Sequence, residues 1–373
     1  TCQARKKRWL YINKAGRKRL AINKMKLLII TQKADMNDDN LGFFHDWLKK
    51  FASLADVNVI ANYVGKYELP ENVKVFSLGK EKEVGKLTKI FRYQWLLLKL
   101  LPKSEGVFFH MCPEYVLGAN FLPKIFRKKT LLWYTHKAVN WKLKLAEKLV
   151  DKIFTASKES FRLPSKKVEV VGHGIDVRKF KMPARLASER VDGKQNLKFK
   201  IITAGRIASI KNLHLSIDAA EILKNKNLSF EIKIAGAPIL ESDKIYFEKL
   251  KEKIREKNLQ EQIFFVGPIP NKDIVNFYQE GDLFVNFSDT GSLDKAVLEA
   301  MSCGLKILTS NEAFKDIVPK ESFTSNNPQE IAEKIEKLAE TDQINIVNLA
   351  EYMAKNHSLD NLIDKMVKLF RNV

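Results

Sequence analysis

Cysteine is nearly missing from this chain: Cys2, Cys112 and Cys303 are all it has in 373 residues. An odd number without paired spacing indicates neither a disulfide framework nor a zinc site, and it fits a reducing cytoplasm. Long apolar runs are missing too. The richest, Trp95 to Leu101, is interrupted by Lys99 and stopped by Pro102, far short of the roughly eighteen residues needed to span a bilayer. Acidic residues are absent from Thr1 to Lys24, which holds nine Lys/Arg. That stretch has neither the apolar core nor the small-residue cleavage site of a secretory signal, and residues 1–24 read as an upstream extension or a disordered basic arm. No period of 20 to 50 residues suggests a solenoid.

What is present is enough apolar material, 45% of residues, to bury two ordinary cores. The net charge is +21, and still +12 with the leader set aside. Such a surface attracts polyanions: nucleic acid, anionic lipid headgroups or phosphorylated substrates.

Short β-branched runs alternate with longer helical patterns. From Met25 onward they are Leu27 to Thr31, Val57 to Ala61, Val73 to Leu78, Gly106 to Phe109, Thr130 to Tyr134, Ile153 to Ala156 and Val168 to Val171. This βαβ rhythm predicts a parallel sheet covered on both faces. A polar stretch from Ala184 to Asn196 interrupts it and is read as a linker between a first domain, 25–183, and a second, 197–355. The rhythm then resumes with Phe199 to Ala204, Phe230 to Ala235, Ile263 to Val266, Asp282 to Phe287 and Leu305 to Thr309. Gln329 to Leu338 and Leu359 to Phe370 read as closing amphipathic helices, the latter within a C-terminal segment, 356–373. The fold class is α/β, with two Rossmann-like doubly wound domains whose carboxyl strand ends face one central cleft.

Two strand-to-helix turns in the second half carry chemistry. The first follows Ile201-Ile202-Thr203-Ala204 with Gly205-Arg206 and, five residues on, Lys211-Asn212; the second runs through Ser288-Asp289-Thr290-Gly291-Ser292 into a helix holding Lys295 and Glu299. A diphosphate needs backbone N–H donors and fixed positive charge, which a Gly/Ser loop opening a helix and an Arg/Lys pair supply. Glu299, on the helix's second turn, lies where a ribose could donate to it, although Lys295 four residues before could simply pair with it.

Gly205-Arg206 with Lys211-Asn212, the block Leu298-Glu299-Ala300-Met301-Ser302-Cys303-Gly304, and Val171-Gly172-His173-Gly174-Ile175-Asp176 with Phe180 resemble glycosyltransferase family 4, a retaining group of GT-B fold. The resemblance runs from Met25 to the C-terminus and is strongest from Lys200 to Asp316. It implies that Arg206 and Lys211 contact the donor diphosphate, that Glu299 contacts the donor ribose, and that Gly291, Ser292 and Leu293 offer backbone N–H groups. The family usually carries a second glutamate eight positions before Glu299; here that position is Gly291, and Asp294 is either its replacement, facing the sugar, or an ordinary first-turn acid. His136, after Leu132-Trp133-Tyr134-Thr135, matches a family histidine that approaches the donor sugar. Gly42 matches the glycine-containing loop after the first strand, and His45 beside it is either an acceptor contact or the first turn of a helix. His110 ends the preceding strand and is a candidate for acceptor binding, whereas His173 reads as structural.

The expected activity is that of a retaining glycosyltransferase (hexosyltransferase type, EC 2.4). It would take a nucleoside diphosphate sugar as donor and a glycan or lipid-linked acceptor, in cell-surface glycan or lipid-linked oligosaccharide assembly. For the retaining outcome the resemblance suggests front-face displacement with the leaving phosphate as base, which calls for no cofactor and no metal. A nucleotide-sugar epimerase of the same fold is one rival, a basic nucleic-acid-binding protein another, though no nucleic-acid-binding signature accompanies the charge; a transferase that binds without turnover is a third. The segment Lys86 to Lys103 mixes aromatics with cations, as does Lys124 to Lys129 with its charges. It either packs wholly on its own sheet or lies on an anionic membrane surface, which would make the protein cytoplasmic and peripheral on the inner face of the membrane.

Overall fold

The computed structural model of the chain describes residues 24–38, 41–181, 198–341 and 346–371. The basic arm up to residue 23 and the linker expected at 184–196 lie outside them. Strands β1 (Met25–Ala34), β2 (Ala55–Val64), β3 (Val73–Ser77), β4 (Gly106–His110), β5 (Lys129–Trp133), β6 (Lys152–Thr155) and β7 (Val168–Val170) form one sheet in the order β3-β2-β1-β4-β5-β6-β7. Strands β8 (Phe199–Ala204), β9 (Phe230–Ala235), β10 (Ile263–Gly267), β11 (Leu283–Asn286) and β12 (Lys306–Thr309) form a second, ordered β10-β9-β8-β11-β12. Every pairing is parallel. The reason is visible in β1, where Leu27, Leu28, Ile29 and Ile30 are all fully buried: a strand covered on both faces has no polar side to show. This is the GT-B arrangement. Both sheets reverse their winding beside the first strand, at β1/β4 and at β8/β11, which puts a crevice at the carboxyl ends of both.

The chain's last helix, Leu359–Arg371, does not pack on the second lobe, from which it emerges. Leu359, Leu362, Ile363, Met366, Val367 and Phe370 enter the first lobe's core beside Trp47, Phe51 and Phe108, and Arg371 donates to the Leu54 carbonyl. A preceding helix, Ile346–Asn356, had no counterpart in the sequence reading. Among the described residues no helix is long and apolar enough to cross a membrane.

The chain thus passes between lobes twice, and the two passages touch. Ile175 N–H donates to His357 O (2.6 Å) and Leu359 N–H to Ile175 O (2.8 Å). Gly172 and Gly174 both have positive φ, +80° and +71°, and a Cβ on Gly172 would lie 1.7 Å from the Asn356 carbonyl oxygen. Only glycine fits there. His173, read as structural, donates its backbone N–H to His357 Nδ1 at 3.1 Å, and its ring stands edge-on to Trp133. Burial, and then Lys295, push the His173 pKa down to about 4, and burial does the same to His357, also about 4.

Two outcomes follow. Gly172→Ala, which meets a backbone oxygen and a left-handed φ together, is expected to cost about 2–5 kcal/mol in urea unfolding. Both histidines stay neutral in the folded chain while the unfolded chain takes up protons near the ordinary 6.5. Stability is therefore complete above about pH 6.5 and declines as pH falls toward 4, by up to about 1.4 kcal/mol per unit for each; His357→Gln should flatten that decline.

Candidate active site

Strands β8, β9 and β10 each end at a glycine with positive φ: Gly205 (+143°), Gly236 (+138°) and Gly267 (+79°). Gly205 N–H donates to Ala235 O and Gly236 N–H to Gly267 O, so the ladder continues past the strands with bare backbone. A Cβ on Gly236 would fall 1.8 Å from Gly205 O, which makes glycine obligatory at the second turn. The lip of the second lobe is therefore lined by main chain, as close approach of a ligand requires.

Arg206 and Lys211 stand at this lip. Lys211 Nζ contacts both carboxylate oxygens of Asp294, at 2.9 and 2.7 Å, and Asn286 Nδ2 donates to the same carboxylate at 3.0 Å. Arg206 is held more loosely, its Nε 3.7 Å from Asp243 Oδ2. Asn212, itself left-handed at φ +49°, donates through Nδ2 to Phe287 O and Asp289 Oδ2. That amide ties the first strand-to-helix turn to the second and fixes the spacing of the cations.

The second turn opens the helix Lys295–Ser302, with extended Asp294 before it and Gly304 (φ +71°) just past its end, the C′ position glycine favours. Glu299 is 5% exposed. Its carboxylate accepts from Tyr278 Oη at 2.9 Å and pairs with Lys295. Burial, then the Glu299 charge, drive the Tyr278 hydroxyl far above its ordinary pKa, so it remains a donor. Lys295 also sits 4.5 Å above the ring of Phe43, from the other lobe.

These groups face a cleft of about 700 Å³ between the lobes. His136, Arg206, Lys211, Ser292, Asp294 and Glu299 all line it, so one space collects expected residues from both lobes. His136 is exposed on the loop after β5, and its neighbour Lys137 reaches across to Asp289 O. Asp294, read as facing a sugar or as a first-turn acid, lines the cleft at the start of the helix and holds Lys211.

The other expected residues lie off the cleft wall. Gly291 has φ +59°, and its missing Cβ would stand 3.4 Å from an Arg162 guanidinium nitrogen. Leu293 is buried and lines a separate cavity behind the loop with Tyr352 and His357. Gly42 closes a turn by donating to Asp38 O; a Cβ there would meet that oxygen at 2.5 Å, and it is the next residue, Phe43, that lines the cleft. His45 and His110, read as acceptor contacts, do not line it. His45 is buried with Nε2 accepting from Glu68 N–H. His110 is buried in an aromatic box, stacked on Phe44 at 3.8 Å, with Nδ1 3.1 Å from Thr31 Oγ1 and its pKa pushed by burial to about 3. Phe43 and Tyr278 were not identified from sequence, and Asn212 was given no role of its own beside Lys211. A buried tyrosine hydroxyl always needs a partner, but nothing local marks which one.

Residues 185–359 match the family described as glycosyl transferases group 1. A 156-residue stretch is 28% identical to the amylovoran biosynthesis glycosyltransferase AmsK of Erwinia amylovora, covering 40% of this chain and 35% of that protein. Another, of 149 residues, is 24% identical to mannosylfructose-phosphate synthase of Agrobacterium fabrum, covering 39% and 33%. The matches thus span about a third of the length of these relatives. Among solved structures, Anabaena HepE in complex with UDP and glucose superposes with a TM-score of 0.73 at 16% identity, over 94% of this chain and all of that one. Sucrose-phosphate synthase of Thermosynechococcus elongatus does so with 0.69 at 12%, over 93% and 98%. At such identities the structural likeness speaks for the fold.

Tyr278→Phe removes one donor from a buried carboxylate without changing the packing of the ring. It is expected to lower stability by about 1–3 kcal/mol in urea unfolding; a loss near zero would mean that Glu299 does not depend on that hydroxyl.

Proposed function

We propose that this chain, whose second half matches the group 1 glycosyl transferases, is a retaining glycosyltransferase that moves a sugar from a nucleoside diphosphate sugar to an acceptor hydroxyl. The observation that supports it is the convergence of Arg206, Lys211 and Glu299 with bare glycine turns on one cleft. Its volume, about 700 Å³, falls within the range of small-molecule sites.

In this reading the diphosphate lies against the Gly205 turn. Lys211 is already desolvated and aimed by Asp294, and it exchanges that carboxylate, wholly or in part, for phosphate oxygens. Arg206, half-exposed and loosely paired, adds its fork, and amides of the loop through Ser292 complete the cradle. Glu299 retains accepting capacity beyond Lys295 and Tyr278, because a carboxylate offers about four lone-pair sites, and takes the ribose hydroxyls. His136 approaches the transferred sugar from the other lobe. The bond from the anomeric carbon to phosphate breaks while the acceptor oxygen bonds that carbon on the same face, and the acceptor proton passes to the departing phosphate. Stabilising the charge that develops on the diphosphate is the main catalytic work, and the reading assigns it to side chains, without a metal or cofactor.

AmsK is by its name an amylovoran biosynthesis enzyme, which supports cell-surface glycan assembly as the setting. The acceptor is then a glycan or lipid-linked glycan, met at the cytoplasmic face of an anionic membrane; nucleic acid is not a partner.

Thermal-shift and calorimetric titration with UDP, GDP and ADP sugars, followed by mass analysis of products, tests the reading. Glu299→Ala should weaken donor binding by about ten-fold or more, and Arg206→Ala and Lys211→Ala should each lower kcat by about 10²–10³ while folding is retained. Turnover that survives both cation replacements would overturn it.

A further inference from the structure

The helix Lys86–Leu100 is apolar on two sides, and only one is covered. Tyr93, Leu96, Leu97 and Leu100, spaced three and four apart, are buried under it. The opposite stripe, Leu87, Phe91 and Trp95, is 72%, 73% and 57% exposed. The neighbouring helices of the same layer repeat the pattern: Ile125 ends the helix Leu122–Ile125 at 69% exposure, and Trp141 begins the helix Trp141–Leu149 at 63%. The layer is rigid. Tyr93 Oη donates to Tyr115 O and Gln94 to Gly118 O, both at 2.7 Å, while Lys142 pairs with Glu114 of the same intervening helix, Pro113–Ala119.

We propose that this three-helix face of the first lobe docks the protein on an anionic lipid bilayer. The assignment deepens the membrane setting proposed above and rests on that reading for its biological use. Charge complementarity selects the occupant. The helix Lys86–Leu100 carries Lys86, Lys89, Arg92 and Lys99 and no acid, and the stretch from Phe121 to Lys128 adds Lys124, Arg127 and Lys128 and no acid. Aromatic rings among lysines suit the headgroup boundary, where the rings enter the acyl edge and the ammonium groups reach lipid phosphates. Lys99 already lies over the Trp95 ring at 4.6 Å. A nucleic-acid surface would need the cations but not the exposed Leu, Ile and Phe between them. The face is also joined to the cleft: Thr135, His136 and Lys137 line it, and four residues further on the chain enters the Trp141 helix through the Asn140 cap. An acceptor carried in the bilayer would enter by that edge.

Flotation of the full chain with phosphatidylcholine vesicles, with and without phosphatidylglycerol, tests the proposal. Co-flotation with the anionic vesicles is expected. Phe91→Ser with Trp95→Ser, and separately Lys86→Gln with Lys99→Gln and Lys124→Gln, should each reduce it by about ten-fold or more, with UDP binding unchanged. Three results would overturn the proposal: no co-flotation, co-flotation that the aromatic pair leaves intact, or a dimer that the aromatic pair dissolves in a protein that binds no vesicles. Because the assay needs neither donor nor acceptor, a protein that floats but transfers nothing would refute the transferase reading alone.

Discussion

The crossing of the chain between its lobes is the constraint on which the site depends. Gly172 lies against the Asn356 carbonyl where no side chain fits, and Ile175 exchanges backbone hydrogen bonds with residues 357 and 359. These contacts hold the outgoing and returning segments together, so the carboxyl edges of the two sheets are set opposite each other. The returning helix then completes the first lobe's core through Phe370, whose ring lies where a Cβ on Gly106 would otherwise stand. The same strap leads into the site: Phe180 packs edge-on against Tyr278, and Tyr278 holds Glu299.

Within the cleft, each of the three second-lobe cations has a carboxylate: Lys211 with Asp294, Lys295 with Glu299 and Arg206 with Asp243. A cluster of uncompensated positive charge would destabilise the fold, since desolvated charges need partners. The pairing solves this while leaving both Asp294 and Lys211 on the cleft wall. The contact of Lys295 with Phe43 links this balance to the first lobe, so the Glu299 carboxylate is joined to the other side of the cleft through one ammonium group.

Most of the architecture was legible in the sequence because parallel strands buried on both faces are written as continuous apolar runs; Leu27 to Ile30 and Val107 to Phe109 show this plainly. The helix Ile346–Asn356 was not recognised. For the site, Gly205, Arg206, Lys211 and Glu299 were legible as a group because strand-to-helix turns are local, whereas Gly236, which lines the same cleft, was not singled out. Contacts made across the fold were not: nothing near Lys211 announces Asp294, 83 residues on, and nothing near Glu299 announces Tyr278. The misplacement of His110 is instructive. Strand alternation puts it on the same face as Phe108, and Phe108 is buried against the helix Phe44–Leu54, so the histidine follows it into the aromatic box and away from the cleft.

The central claim is that paired cations and bare main chain at the second lobe's lip grip a diphosphate. A crystal structure with bound UDP tests it most directly. The account predicts diphosphate oxygens within hydrogen-bonding distance of Arg206 and Lys211 beside the Gly205 turn, with the ribose hydroxyls on Glu299. A nucleotide bound elsewhere, with Lys211 still closed on Asp294, would contradict it.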